Sequence, residues 1–145
     1  MKKSLGVLLV IIQALCLMYF IIAEGPLTSY WYSNSLILLS TIIAGWAFLT
    51  MGLTRFSVFP MPKDNTNLIT KGPYGYVRHP MYTSLLVFGL GYILANPSSL
   101  PILVYATLFV VLYVKSNLEE QLLGQRFQSY KSYKKKTKRF IPFIF

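Results

Sequence analysis

The sequence predicts an all-α integral membrane protein: a polytopic bundle of about four transmembrane helices, a single domain over residues 1–145, with both termini in the cytoplasm. Two observations predict it. Only 12% of the residues are charged and 54% are hydrophobic, whereas a soluble domain carries about 25% charged residues. The apolar residues also come in blocks, with basic residues gathered beyond alternate block ends.

The first block, about 5–23, is uncharged from Leu5 to Ala23 and follows Lys2-Lys3. It exceeds the apolar core of a signal peptide, and Ile21-Ile22-Ala23 makes a poor cleavage site. The second block, about 34–53, lies in an uncharged stretch from Gly25 to Thr54. Both suit a spanning helix of roughly 20 residues. The third, about 80–95, is short: from Met81 to Ala95 it reaches about 22 Å at the helical rise per residue. It must begin earlier, tilt little, or sit partly inside protein. Asn96-Pro97-Ser98-Ser99 separates it from a fourth helix, about 98–128. A lone cysteine excludes an internal disulfide.

Lys2 and Lys3 precede helix one; Arg55, Lys63, Lys71 and Arg78 lie between helices two and three; a dense basic run follows helix four. Four crossings with both ends inside put all of these on one side, as the positive-inside rule requires. The cytoplasmic surface then consists of a loop, 54–79, and a tail, 129–145. The tail carries most of the net charge of +10, in Lys131, Lys134, Lys135, Lys136, Lys138 and Arg139. Interleaved with Tyr130, Tyr133, Phe140, Phe143 and Phe145, it suits anionic lipid headgroups rather than nucleic acid.

Three features carry chemistry. Pro80 suits the first position of helix three, where its missing N–H costs nothing. That helix start, beside Arg78 and His79, reads as an anion site. Glu119 and Glu120 directly follow the fourth apolar block, and carboxylates this near hydrocarbon need a partner or a function. Lys115 lies one turn before Glu119, on the same face. Gly89-Leu90-Gly91 in helix three reads, taken alone, as a close helix contact. No metal site is expected. No alternation of strand and helix is present, which excludes an α/β nucleotide-binding fold.

Gly72-Pro73-Tyr74, then Arg78-His79-Pro80-Met81-Tyr82, a helical hairpin, Glu119-Glu120, Phe127-x-x-Tyr130-x-x-Tyr133 and a terminal Ile141-Pro142 occur in that order. Together they resemble the isoprenylcysteine carboxyl methyltransferase and phospholipid methyltransferase superfamily, from about Phe59 to Pro142. The resemblance implies S-adenosylmethionine as cofactor and a lipophilic methyl acceptor drawn from the bilayer. Tyr74, Arg78, His79, Pro80, Tyr82, Gly89, Gly91, Glu120, Tyr130 and Tyr133 would contact the cofactor. Glu119, Lys115 and Arg126 would act on the acceptor: the two cations orienting a carboxylate, or Glu119 taking a proton from an amine. Two departures stand out: Ser84, where many members have glycine, and Lys115, where carboxyl-methylating relatives tend to carry arginine. The alternatives are a phospholipid amine N-methyltransferase and a non-enzymatic lipid-binding or assembly protein. Short, plain outer loops point to a prokaryotic inner membrane.

Overall fold

The computed structural model describes residues 2–24, 29–52 and 68–144. Five α-helices are present in that range: α1 (Lys2–Glu24), α2 (Trp31–Met51), α3 (Pro80–Ala95), α4 (Ser99–Arg126) and α5 (Tyr130–Lys136), with a 3₁₀ turn at Gly72–Gly75 before α3. Arg55, Phe59, Lys63 and Asp64 lie outside the described residues.

Three helices, Ser4–Ala23, Trp31–Met51 and Ser99–Arg126, are long and apolar enough to cross a membrane; Pro80–Ala95 is apolar but shorter. The first two begin before the predicted starts, and α4 ends at Arg126, two residues short of the predicted 128. Large side chains such as Leu38, Ile42, Leu49, Leu103 and Val110 are exposed, as lipid-facing positions require. In α2, Ser35, Ser40, Thr41 and Thr50 each turn a hydroxyl back onto a carbonyl three or four residues earlier. No donor in that set is left bare to hydrocarbon.

The short third helix resolves by burial. α3 is the hub: α2 packs along one side, α4 on another, and α1 touches it over a smaller area. Pro80, Ser84, Leu86, Gly89, Gly91 and Tyr92 are buried. Phe20 of α1 stacks on Tyr92 at 5.5 Å and helps build a core with Cys16, Leu86, Leu108 and Leu112. α2 offers α3 the small residues Ser33, Ser40 and Ala47.

The basic tail is part of the fold rather than a free anchor. Val77 and Lys138 form a parallel bridge, with Arg78 N donating to Lys138 O at 2.7 Å and Lys138 N to Tyr76 O at 3.2 Å. His79 N donates to Arg139 O at 3.2 Å. Phe140 then plugs the bundle at 1% exposure. Thr83 Oγ1 donates to the Phe140 carbonyl at 2.7 Å, which seats the plug. The 3₁₀ turn is anchored from the other side. Gly72 has φ +57, and a Cβ there would stand 2.7 Å from Thr50 Oγ1 at the end of α2, so only glycine fits.

Candidate functional site

The site assembles where α3 begins and α4 ends, under a roof made by the 3₁₀ turn, α5 and the strap 137–140. Glu120 is its electrostatic centre. It is 5% exposed, and its carboxylate meets four basic side chains. Arg78 Nε donates to Oε1 at 2.8 Å and Lys134 Nζ pairs with Oε2 at 2.7 Å. Arg139 Nε lies 3.4 Å from Oε1. His79 Nε2 is also 3.4 Å from Oε1, a charge contact without hydrogen-bond geometry. Arg78 is fixed further by Nη1, which donates to the carbonyls of Thr137 and, at 3.3 Å, Lys134.

Glu119 faces a different set. His79 Nδ1 lies 3.2 Å from its Oε2, and the Tyr82 hydroxyl donates to Oε1. The His79 and Tyr82 rings stack at 5.4 Å with an interplanar angle of 7°. One imidazole therefore spans both carboxylates, one on each ring nitrogen. Burial alone would pull His79 down, but the neighbouring carboxylates of Glu119 and Glu120 prevail and hold it above the ordinary histidine range. His79 is thus favoured as the imidazolium.

Tyrosines line the roof. Tyr133 OH donates to Tyr74 O at 2.7 Å, tying α5 to the 3₁₀ turn. Burial is the main cause pushing the Tyr133 phenol up to about 12, and it raises Tyr74 and Tyr130 as well. All three remain neutral donors at physiological pH. The hydroxyls of Tyr74 and Tyr130, together with Arg139 Nη1, are buried with no protein hydrogen-bond partner. Buried polar groups are nearly always satisfied, so this concentration of orphan donors around one carboxylate pair is what a polar ligand would answer.

Arg78, His79, Pro80, Tyr82, Glu119, Glu120, Tyr74, Tyr130 and Tyr133 thus come together at one end of the bundle, as the motif order implies. Gly89 and Gly91 stand apart from it. Gly89 and Gly91 lie more than two turns along α3, facing the Tyr105 ring and the Ser33 carbonyl respectively. Their setting is helix packing. Arg126 is at the last turn of α4 with its guanidinium over the Phe127 ring. Lys115 is 1% exposed and borders the cluster: its Nζ stands 5.3 Å from the centroid of the Tyr82 ring and donates to Gln13 Oε1 at 2.6 Å.

The anion site expected at the α3 start also differs in form. Tyr82 N and Thr83 N both donate to His79 O at 3.0 Å, and Arg78 and His79 are engaged by the chain's own carboxylates. The positive charge around Glu120 comes from side chains. Lys134 and Arg139 were legible only as part of a basic run, and Thr137 not at all. Nothing in their spacing says that two of its cations turn inward. Gln13 carried one signal, as the only amide in an otherwise apolar block.

The profile of the family described as "Phospholipid methyltransferase" matches residues 28–130, well over half of the chain. The chain belongs to that family. Its superfamily is the one that the Arg78-His79-Pro80 and Glu119-Glu120 motifs resemble. Among curated proteins, the chain is 30% identical over 116 residues to the cobalt-zinc-cadmium resistance protein CzcN of Cupriavidus metallidurans. That match covers 77% of the chain and 51% of the relative. It is 27% identical over 146 residues to the nickel-cobalt-cadmium resistance protein NccN of Alcaligenes xylosoxydans xylosoxydans, covering 97% of the chain and 65% of the relative. The chain therefore spans between half and two thirds of the length of these relatives. Family membership implies methyltransferase chemistry in a membrane protein, and the cluster beneath the strap holds the family motifs.

Proposed function

We propose that this protein transfers a methyl group from S-adenosylmethionine to a lipophilic acceptor at the cytoplasmic face of the membrane. The observation that carries the reading is the buried cluster around Glu119 and Glu120, closed by Arg78, His79, Lys134 and Arg139 and rimmed by unpartnered Tyr74, Tyr130 and Arg139 donors. Its donor set fits the cofactor. Cations outnumber the two carboxylates, which favours a ligand carboxylate. The carboxylates can accept from an ammonium or a ribose diol. Tyr130 and Tyr133 present aromatic surface for a base.

S-adenosylmethionine supplies, when bound, a methyl group on a good leaving group, so no protein nucleophile is needed. The work left to the chain is alignment and exclusion of water. Arg78 and Glu120 hold the α3 start, the α4 end and the strap in one geometry. Phe140 and the tyrosine roof shield the site from water. Glu119, with His79 and Tyr82 on its two oxygens, is the group able to receive a proton from an amine acceptor. A carboxylate acceptor releases none and needs only a cation to orient it.

Exposed Lys131, Lys135, Lys136 and Lys138, which the Glu120 cluster does not use, suit anionic lipid headgroups. Among the described residues no group of three or more His, Cys, Asp or Glu could hold a metal ion.

Calorimetry of S-adenosylhomocysteine binding to the purified protein, beside Glu120→Gln and His79→Ala, tests the reading. Micromolar binding to wild type, weakened at least tenfold by either substitution, supports it. Absence of binding to folded wild type in both detergent and nanodiscs overturns it. Labelled-methyl transfer into total lipid, resolved by headgroup, separates the alternative of phospholipid amine methylation from other acceptors.

A further inference from the structure

One face of α4 joins the bilayer to the buried cluster. Phe109 and Tyr113 lie one turn apart, both exposed on the span, with rings stacked at 6.4 Å. Glu120, buried in the cluster, follows Tyr113 by two turns on the same face. Arg139 touches both ends of that step. Its guanidinium carbon stands 4.7 Å from the Tyr113 ring centroid, and its Nε lies 3.4 Å from Glu120 Oε1. The guanidinium also has donors to spare. Nη2 reaches Glu120 Oε2 only at 3.5 Å, and Nη1 is buried with no protein acceptor. Glu120 has shorter partners in Arg78 at 2.8 Å and Lys134 at 2.7 Å.

We infer that Arg139 is a specificity-determining residue that receives the oxyanion of an amphiphilic acceptor, a carboxylate or a phosphate, whose hydrocarbon tail lies along Phe109 and Tyr113. A guanidinium presents its N–H donors as a planar fork that matches an oxyanion two at a time. A buried cationic donor left without an acceptor is costly, which an incoming anion relieves. The face of the Tyr113 ring holds the fork beside an apolar wall, so head and tail of one amphiphile are met by adjoining residues. Lys115 and Arg126, the cations the sequence offered for this task, are turned to Gln13 and to the Phe127 ring. That the amphiphile is a methyl acceptor rests on the methyl-transfer reading; the headgroup site itself does not.

Native mass spectrometry of the detergent-purified protein tests the inference. The probes share one tail and differ in the head: palmitate, hexadecyl phosphate and hexadecanol. Wild type retains palmitate or hexadecyl phosphate over hexadecanol by about tenfold or more, the worth of a charge-assisted hydrogen bond. Whichever anion is held better tells a carboxylate acceptor from a phosphate one. Arg139→Gln abolishes the preference, and Arg139→Lys, which keeps the charge, retains part of it. Replacing the exposed Lys131, Lys135, Lys136 and Lys138 together by Gln leaves it unchanged. Equal retention of all three probes by wild type, an unchanged ratio in Arg139→Gln, or loss of the ratio in the lysine variant each overturns the inference. Lost S-adenosylhomocysteine affinity in Arg139→Gln at an unchanged ratio gives the guanidinium to the cofactor and overturns it too. If Arg139→Gln does not fold, Tyr113→Leu, at an exposed position, is read in its place; it lowers the ratio about threefold, the worth of a cation–π contact, and an unchanged ratio there is equally fatal. Wild type that shows the Arg139-dependent ratio yet binds no S-adenosylhomocysteine defeats the methyl-transfer reading and leaves the headgroup site standing.

Discussion

Arg78 and Glu120 are hydrogen-bonded at 2.8 Å across 42 residues of chain, with side chains 9% and 4% exposed. The pair joins the loop ahead of α3 to the end of α4. Deleting one member of a buried pair costs about 3–5 kcal/mol, because the other charge is left stranded. Glu120→Ala strands Arg78 and Arg139 together, so it should fall at the upper end. Lys134 is 50% exposed and can turn to water, so Lys134→Ala should cost well under 1 kcal/mol. Chemical unfolding of the two variants in the same detergent checks the contrast. Equal losses would remove Glu120 from the centre of the cluster.

Phe140 sits in contact distance of His79, Tyr82 and Phe109, with ring centroids 6.1, 6.5 and 6.3 Å away. Truncating such a ring costs about 3–5 kcal/mol. The loss here falls mainly on the strap, whose other ties are the Val77–Lys138 bridge, a few hydrogen bonds to its carbonyls and the contacts to Glu120. Phe140→Ala is expected to expose the bonds after Lys138 and Arg139 to trypsin while α1–α4 stay folded. Cleavage at these sites no faster than in wild type would show that the polar ties hold the strap without the plug.

The bundle was legible because hydropathy blocks report on solvent and solvent dictates helices. The motif residues were legible because Arg78-His79-Pro80 and Glu119-Glu120 are unusual beside hydrocarbon. The tail was read as an anchor, since a run of lysines with aromatics between them is what a headgroup-facing segment looks like. Its inward turn depends on the Val77–Lys138 bridge and the Phe140 plug, both long-range events with no local periodicity. Gly89-Leu90-Gly91 carried two meanings at once, a cofactor contact through the resemblance and a close helix contact through its composition. Only the placement of α2 shows what Gly91 touches.

That placement gives a direct test. A Cβ on Gly91 would lie 3.1 Å from Ser33 O and 3.2 Å from Ile37 Cγ1 on α2. Backbone cannot swing aside as a side chain can, so α2 must move. Gly91→Leu should destabilise the fold by about 1–3 kcal/mol through overpacking and leave S-adenosylhomocysteine affinity within twofold. Thermal unfolding and calorimetry on one preparation check both. A large affinity loss at unchanged stability would instead return the glycine pair to the cofactor site.

His79 gives the fold a pH dependence. Its folded midpoint is raised by Glu119 and Glu120, so protonation and folding favour each other. The contribution is complete below about pH 6.5, where the unfolded histidine is also protonated. It is lost as pH rises through the elevated folded midpoint. Burial keeps the Tyr74 phenol neutral, and His79 dominates the slope near neutrality. Thermal midpoints of wild type should fall from pH 6 to pH 9, and His79→Gln should flatten that profile. A wild-type profile that rises over this range would reverse the assignment.

The unpartnered phenols separate ligand binding from architecture. Tyr74 OH and Tyr130 OH are buried without a protein acceptor, and an unsatisfied buried hydroxyl costs stability in the empty protein. Tyr74→Phe and Tyr130→Phe should therefore leave the ligand-free protein as stable as wild type, or slightly more so. Each should weaken S-adenosylhomocysteine by roughly 3- to 10-fold, the worth of one hydrogen bond. Tyr133→Phe behaves in the opposite way, because its hydroxyl is already spent on Tyr74 O; it should lose stability first and affinity only as a consequence. Unfolding midpoints with and without ligand, taken on the three variants together, separate the two patterns. If Tyr74→Phe and Tyr130→Phe bind as wild type does, the orphan hydroxyls are not reserved for the cofactor, and the roof acts only as a cover.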